Sequence, residues 1–321
     1  MSKIPLTLCG MPWNVKKTIV DSLEFLPRTH LGQCSTEFKQ MIDSAKIQFD
    51  FVDFRFLPSG KYFEKVEIAV YQNGKKQLKL EFIEISETIH KRKVNNSEGV
   101  IGNGHFIAAA VSTLLQKINK PNVIIGNLSI FFMNPRQVTS VPRQVLTIRN
   151  EKLIRKMTDI LNIISVFNMD KLQVKIVSFH SYGNLEFVGS FLPFLERKTL
   201  VDIRIMYVPI GGSKQVQLKK DAENALFLIN FLQVDRSSIS MEAVTIDFLE
   251  QVIEMMTTKT FCNRFCLNYT DPDDAHLHDY LSQWPIDPSN RNSRMMTIPN
   301  SKNYISVEIS SKRLLFERIF V

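Results

Sequence analysis

The sequence predicts a mixed α/β protein: a short helical head, an antiparallel strand meander, then an irregular, mainly parallel β-α array. Three observations predict it. Apolar residues recur at helical spacing over residues 11–42 and alternate at period two from residue 47. From residue 105, helix-like and strand-like segments take turns down the rest of the 321-residue chain. The expected boundaries are 8–46, 47–104 and 105–321.

The head reads MPWNVKKTIVDSLEFLPRTHLGQCSTEFKQMI. Pro12 suits a first helical turn, where a missing N–H leaves nothing unmet. Val15, Ile19 and Leu23 recur every four residues with Lys16, Lys17 and Asp21 between them, the pattern of an amphipathic helix. PRTH reads as a break, after which Leu31, Cys34, Phe38 and Ile42 resume the stripe on a second helix. Two helices this short cannot bury both stripes against each other. The module needs the body behind it or a partner in front.

In the meander, IQFDFVDFRF, KYFEKVEIAVY and KQLKLEFIEI each alternate apolar and polar residues. Asn73-Gly74, between the last two, is a strong two-residue hairpin signal. This predicts about three antiparallel strands, followed by a polar linker, HKRKVNNSEGVIGNG, at 90–104. HFIAAAVSTLLQKI then reads as helix and NVIIGNLSIFF as strand; NEKLIRKMTDILNIISVF as helix and DKLQVKIVSF as strand. NLEFVGSFLPFL and DAENALFLINFLQV read as helical around the strand TLVDIRIMYV, and SSISMEAV as extended. TIDFLEQVIEMMT is a helix capped by Thr245, FCNRFCLNY a strand, and DPDDAHLHDYLSQW a last helix whose acidic start suits its dipole. The tail from Arg294 predicts two or three short strands. Strand starts near 123, 171, 200, 238 and 261 approach one β-α unit per repeat. No residue-level repeat accompanies them, so the array is expected to be only leucine-rich-repeat-like.

The composition, 44% hydrophobic and 22% charged with 23 Phe, excludes a disordered or collagenous chain and supplies a sizeable core. Cys9, Cys34, Cys262 and Cys266 make no disulfide framework, and MSKIPLTLCG lacks the apolar core of a secretory signal. Glycosylation-type triplets starting at Asn95, Asn127 and Asn268 therefore read as chance matches. The longest uncharged apolar run, residues 122–134, falls short of the ~20 residues a spanning helix needs. The expectation is a reduced, intracellular protein of cytoplasm or nucleus, without membrane contact. A formal charge of +8 favours acidic partners, with HKRKV the one compact basic cluster.

Motifs of chemistry are weak. GVIGNGHFIAAA has Ile107 where a dinucleotide loop needs Gly or Ala, and no apolar strand leads into it. IGGSKQ at 210–215 lacks Walker spacing and reads as a turn. Asp271, Asp273, Asp274, His276, His278 and Asp279 cluster, but the two histidines lie two apart and face different ways on a helix. Cys262 and Cys266 have no second ligand pair for zinc and are expected to share one face of a strand as small core residues. No catalytic, cofactor-binding or metal-binding residue is assigned, and the chain is not expected to be an enzyme. Phe and Tyr interleaved with Lys in KYFEKVEIAVYQNGKKQLKLEF keep a basic nucleic-acid-binding protein as the alternative reading, although alternation of core and rim explains the same pattern.

The head resembles an F-box. Met11-Pro12, Val15, Ile19-Val20 and Leu23, then Leu31, Cys34-Ser35 and Phe38, follow that family's succession over about thirty residues; Met11 stands for a commoner Leu and Phe38 for a common Trp. TIPNSKNYISVEISSKRLLFERI at 297–319 is similar to the closing signature of the FTH domain, and residues 170–207 to its central strand–helix–strand unit. Together they resemble the nematode F-box proteins with a C-terminal FTH domain, the F-box A family. The resemblance implies a substrate-receptor subunit of an SCF-type ubiquitin ligase. Met11, Pro12, Val15, Ile19, Leu23, Leu31 and Cys34 would dock a Skp-family adaptor, and through it cullin and the RING protein, while the FTH-type body holds a target protein.

Overall fold

The computed structural model describes residues 8–59, 63–95, 97–118, 120–132, 143–165, 171–182, 186–208, 234–241, 244–269, 275–288 and 290–321. Nearly all of the predicted helix DAENALFLINFLQV, the turn at 210–215, and Asp271, Asp273 and Asp274 lie outside these residues.

The head holds three helices where the sequence predicts two: α1 (Trp13–Ser22), α2 (Phe25–Cys34) and α3 (Thr36–Ser44). PRTH is not a break. Pro27 is the third residue of α2, where its N–H would have no intrahelical acceptor, so it opens the helix instead of ending one. The chain actually breaks at Leu23 and Glu24, both extended. Ser35 separates α2 from α3, its hydroxyl accepting the Phe38 N–H at 3.2 Å. Val20, Phe38, Met41 and Ala45 form a small core, with Leu31 and Ile42 packed against it.

The body is built on one sheet. Its fourteen described strands are β1 (Ile47–Ser59), β2 (Phe63–Gln72), β3 (Lys75–Ser86), β4 (Ile89–Val94), β5 (Val100–Asn103), β6 (Val123–Phe131), β7 (Gln173–Tyr182), β8 (Asp202–Val208), β9 (Arg236–Met241), β10 (Arg264–Tyr269), β11 (Ile286–Asp287), β12 (Asn290–Thr297), β13 (Tyr304–Ser310) and β14 (Arg313–Ile319). Their order is β11-β12-β13-β14-β10-β9-β8-β7-β6-β1-β2-β3-β4-β5. The six strands β1 and β6 to β10 run parallel, and both flanks are antiparallel. The fold is therefore mixed α/β, with more antiparallel than parallel pairings.

The predicted meander is longer than three strands, because the supposed linker at 90–104 carries β4 and β5. Charge along Lys91, Arg92 and Lys93 on β4 hid them, although β4 is paired on both sides, with β3 and with the edge strand β5. The β2–β3 hairpin turns where predicted, with Asn73 at φ 53° and Gly74 at φ 70°, the doubly positive geometry of a two-residue hairpin.

The parallel strands share a burial pattern. Each places one buried residue, skips two positions, then buries alternate residues: Phe49, Val52 and Phe54; Ile125, Leu128 and Ile130; Val174, Val177 and Phe179. Leu200, Ile203 and Ile205; Val234, Ser237 and Ile239; and Cys262, Phe265 and Leu267 continue it. The skip reverses which face of the strand points inward. At the skip in β6, backbones come close: a Cβ on Gly126 would stand 2.7 Å from the Asp50 carbonyl oxygen. Gly126→Ala is therefore expected to lower stability by about 1–3 kcal/mol, the usual range for overpacking, read as a lower urea midpoint at unchanged slope.

Helices α4 (Phe106–Ile118), α5 (Arg143–Ser165), α6 (Glu186–Phe191), α7 (Ile246–Thr258) and α8 (Ala275–Ser282) cover the inward face. Their apolar sides and the inward strand residues form one continuous core. Thr245 caps α7 as predicted, accepting the Phe248 N–H at 3.2 Å. Phe56, Phe132 and Phe187 pile up at its centre, with ring centroids 4.4 and 4.6 Å apart. The other face of the sheet carries polar and charged side chains with a few apolar ones, Phe51, Phe131 and Met206, among them.

Candidate functional site

Two surfaces stand out, one on the head and one on the open face of the sheet. In the head, α1 turns Lys16 and Val20 inward. Lys16 is buried, and its Nζ donates to both Glu37 carboxylate oxygens at 2.8 Å, tying α1 to α3. With that line inward, Val15 and Ile19 fall on the helix flank, between the cap residues Pro12 and Leu23. Val15 is 40% exposed, Pro12 is exposed, and Met11, Ile19 and Leu23 are half-buried. Leu31 instead turns toward the head's own core, and Cys34 is exposed at the end of α2, its thiol donating to the His30 carbonyl at 3.4 Å. Val15 and Ile19 thus share one flank of α1, whereas Leu31 packs into the head's own core and Cys34 lies at the end of α2.

Two apolar residues that sequence reasoning passed over are exposed in the same region of chain, Leu8 at 38% and Trp13 at 56%. Trp13 lies off the four-residue stripe; its signal was its type, since Trp is enriched among residues that dominate interfaces. The head is fixed to the body. The Phe25 ring meets Phe49 edge-on at 5.1 Å, the Phe25 N–H donates to Gln72 Oε1 at 2.8 Å, and Gln77 donates to Glu24 at 2.8 Å.

The open face follows from strand register. Asp53, Ser129, Ser178, Arg204 and Ser238 lie side by side on β1, β6, β7, β8 and β9. Arg55, Phe131, His180, Met206 and Ser240 make the next row. Small serines between larger neighbours leave a groove of about 660 Å³ across the five strands. Asp53 forms its floor and is 3% exposed. The Arg55 guanidinium holds its Oδ2, while Oδ1 has no hydrogen-bond partner although the Ser129 hydroxyl stands beside it. Burial pushes the Asp53 carboxyl above its ordinary value, partly offset by Arg55. Asn127 Oδ1, on the groove's lining, is also buried without a donor.

His180 packs against Phe131 at 5.5 Å, and burial, reinforced by the Arg55 charge, lowers its imidazole below the ordinary value. The folded chain therefore resists the imidazolium, whereas the unfolded chain accepts the proton near pH 6.5. This contribution is complete above about pH 6.5 and declines as pH falls below it. His180→Gln is expected to lose less of its urea midpoint than wild type between pH 7 and pH 5.5.

The two cysteines do not share a face. Cys262 is the inward entry residue before β10, buried beside the Ser237 hydroxyl at 3.6 Å, whereas Cys266 points to the open face with its thiol 3.6 Å from Asn268 Oδ1. The two-residue skip between positions 262 and 265 reverses the alternation that the sequence reading extended straight through. On α8, His276 is exposed and His278 half-buried. Among the described residues no three His, Cys, Asp or Glu side chains converge as a metal centre requires. No helix among them is long and apolar enough to cross a membrane. No protein-family model, curated protein or solved structure matches the chain.

Proposed function

We propose that this chain is a non-catalytic substrate receptor of an SCF-type ubiquitin ligase, an F-box head on an FTH-type body. The head would dock a Skp-family adaptor, which brings cullin and the RING protein, and the body would hold the protein to be ubiquitinated. The observation that carries this reading is the accessible apolar flank of α1. Met11, Pro12, Val15, Ile19 and Leu23 are all at least partly open, on a head that is otherwise completed by its own core and its seat on the sheet.

Exposed apolar surface of this kind marks interfaces. Burying even ~600 Å² of it at ~25 cal/mol/Å² gives gross stabilisation of about 15 kcal/mol before association costs, so a short module suffices. The recurrent burial pattern of the six parallel strands supports the leucine-rich-repeat-like part of the reading, since a stacked array leaves one broad face free for a partner. The test is co-elution of the purified full chain with a Skp-family adaptor in size-exclusion chromatography. A stoichiometric complex supports the reading, and separate elution at micromolar concentrations overturns it.

A further inference from the structure

The open face of the parallel strands is lined by arginine. Arg55, Arg204 and Arg236 have side chains 50%, 51% and 60% exposed, and Arg264 is exposed on the next strand, in register with Arg236. The carboxylates beside Arg55 and Arg204 are sunk: the Asp53 side chain is 4% exposed and that of Asp202, which accepts from Arg204 Nε at 2.9 Å, 13% exposed. Asp235 beside Arg236 and Glu317 beside Arg264 are more open. At Arg55 and Arg204 an incoming molecule therefore meets guanidinium groups whose orientation is fixed by acids beneath, and Arg236 and Arg264 extend the row along β9 and β10. Arginine in this setting favours planar, two-pronged contact with oxyanions.

The floor of the groove adds a second requirement. Asn127 Oδ1 is a buried acceptor without a donor and Asp53 Oδ1 has only the Ser129 hydroxyl beside it, and such atoms are stabilised by gaining an N–H. A polypeptide offers carboxylates and main-chain N–H groups together, whereas the backbone of a polynucleotide carries no N–H and would set phosphates against Asp53. The six adjacent strands from β1 to β10 at about 4.8 Å span roughly 24 Å, the length of about seven extended residues.

We propose that this groove, together with the arginines that continue beside it on β9 and β10, seats an extended, Asp- and Glu-rich segment of the target protein, its carboxylates on Arg204, Arg236 and Arg264 and its amides over Asp53 and Asn127. The assignment rests on the receptor reading for its biological sense, but its test does not. Fluorescein-labelled poly-L-glutamate is titrated into the full chain at about 0.1 M salt and followed by anisotropy. Arg204→Gln with Arg236→Gln is expected to weaken binding at least tenfold. Lys91→Gln with Lys93→Gln, in the densest basic run of the sequence, should change it less than threefold.

Glutamine avoids setting a new acid beside Asp202 or Asp235, and thermal melts of both variants check folding. Equal loss in the two variants would reduce the attraction to net charge and overturn the proposal, as would absence of binding by wild type. Tighter binding of labelled oligouridine, lost in the same arginine variant, would overturn it in favour of nucleic acid. Adaptor co-elution is measured on each preparation. Retained adaptor with no polyglutamate binding sinks the groove assignment alone, and the reverse result sinks the receptor reading alone.

Discussion

A chain carrying Pro12→Ala with Ile19→Asp is expected to lose adaptor capture by at least a hundredfold while its body unfolds at the same urea concentration as wild type. Ile19 is half-buried on the accessible flank of α1 and is not part of the large core that unites the sheet with α4 to α8. In the free protein an aspartate there can keep much of its hydration. Across an apolar interface it must give that hydration up, which costs several kcal/mol, whereas a hundredfold loss needs only about 2.8 kcal/mol. Pro12 stands at the cap of α1 with φ −57°, and its carbonyl accepts the Val15 and Lys16 N–H groups at 3.1 Å. Alanine keeps those bonds and removes only the ring. Capture undiminished in the double variant would place the adaptor elsewhere or nowhere. Capture lost together with the head's own protection from hydrogen exchange would report unfolding instead of a broken interface.

How much of this was legible in the sequence differs between elements for physical reasons. The β2–β3 hairpin was readable because Asn73 and Gly74 are residues that tolerate positive φ, and the α7 cap because Thr245 supplies its own oxygen. Both signals are local. The break at Leu23-Glu24 was not readable, since neither residue is a breaker, while Pro27 looked like one and sits harmlessly in a first turn. The repeating triplets of the parallel strands escaped notice because the first buried position is filled in turn by Phe, Ile, Val, Leu, Val and Cys, and the second by Val, Leu, Val, Ile, Ser and Phe. Only burial makes Ser237 and Cys262 equivalent to Phe265 and Phe49. The groove is the extreme case. Asp53, Ser129, Ser178 and Arg204 become neighbours only through register between distant strands, and each arginine on its own strand looks like any solvated charge. The apolar residues of α1 were legible as a stripe, but their degree of exposure depended on Lys16, a charged residue that the helix buries against Glu37.

Arg28→Ala is expected to be the most damaging single change in the head, loosening it by about 3–5 kcal/mol. Arg28 is only 5% exposed, inside the segment that reads as a turn in the sequence. Its Nε donates to the Leu23 carbonyl at 2.6 Å, one terminal nitrogen to Asp21 at 2.8 Å, and the other to Lys46 at 3.0 Å. One planar side chain thus clasps the end of α1, the start of α2 and the strand entry after α3. Burial weakens its hold on the proton, and the Asp21 charge counters that. Alanine would leave three carbonyls without their charged donor, each worth about 1–3 kcal/mol when buried and unmet, with partial compensation by entering water. Amide exchange across residues 13–44 should accelerate by about two to three and a half orders of magnitude, since each tenfold corresponds to about 1.4 kcal/mol, while α4 to α8 keep their protection. Arg28→Lys, able to satisfy fewer of the three carbonyls at once, should fall between the two. Unchanged exchange in Arg28→Ala would show that the helices hold together by Val20, Phe38 and Met41 alone. The same substitution links stability to binding. A head that opens more often presents its α1 flank less often, so adaptor affinity should fall by the fraction of heads that remain closed, and a full-strength interface on a loosened head would break that link.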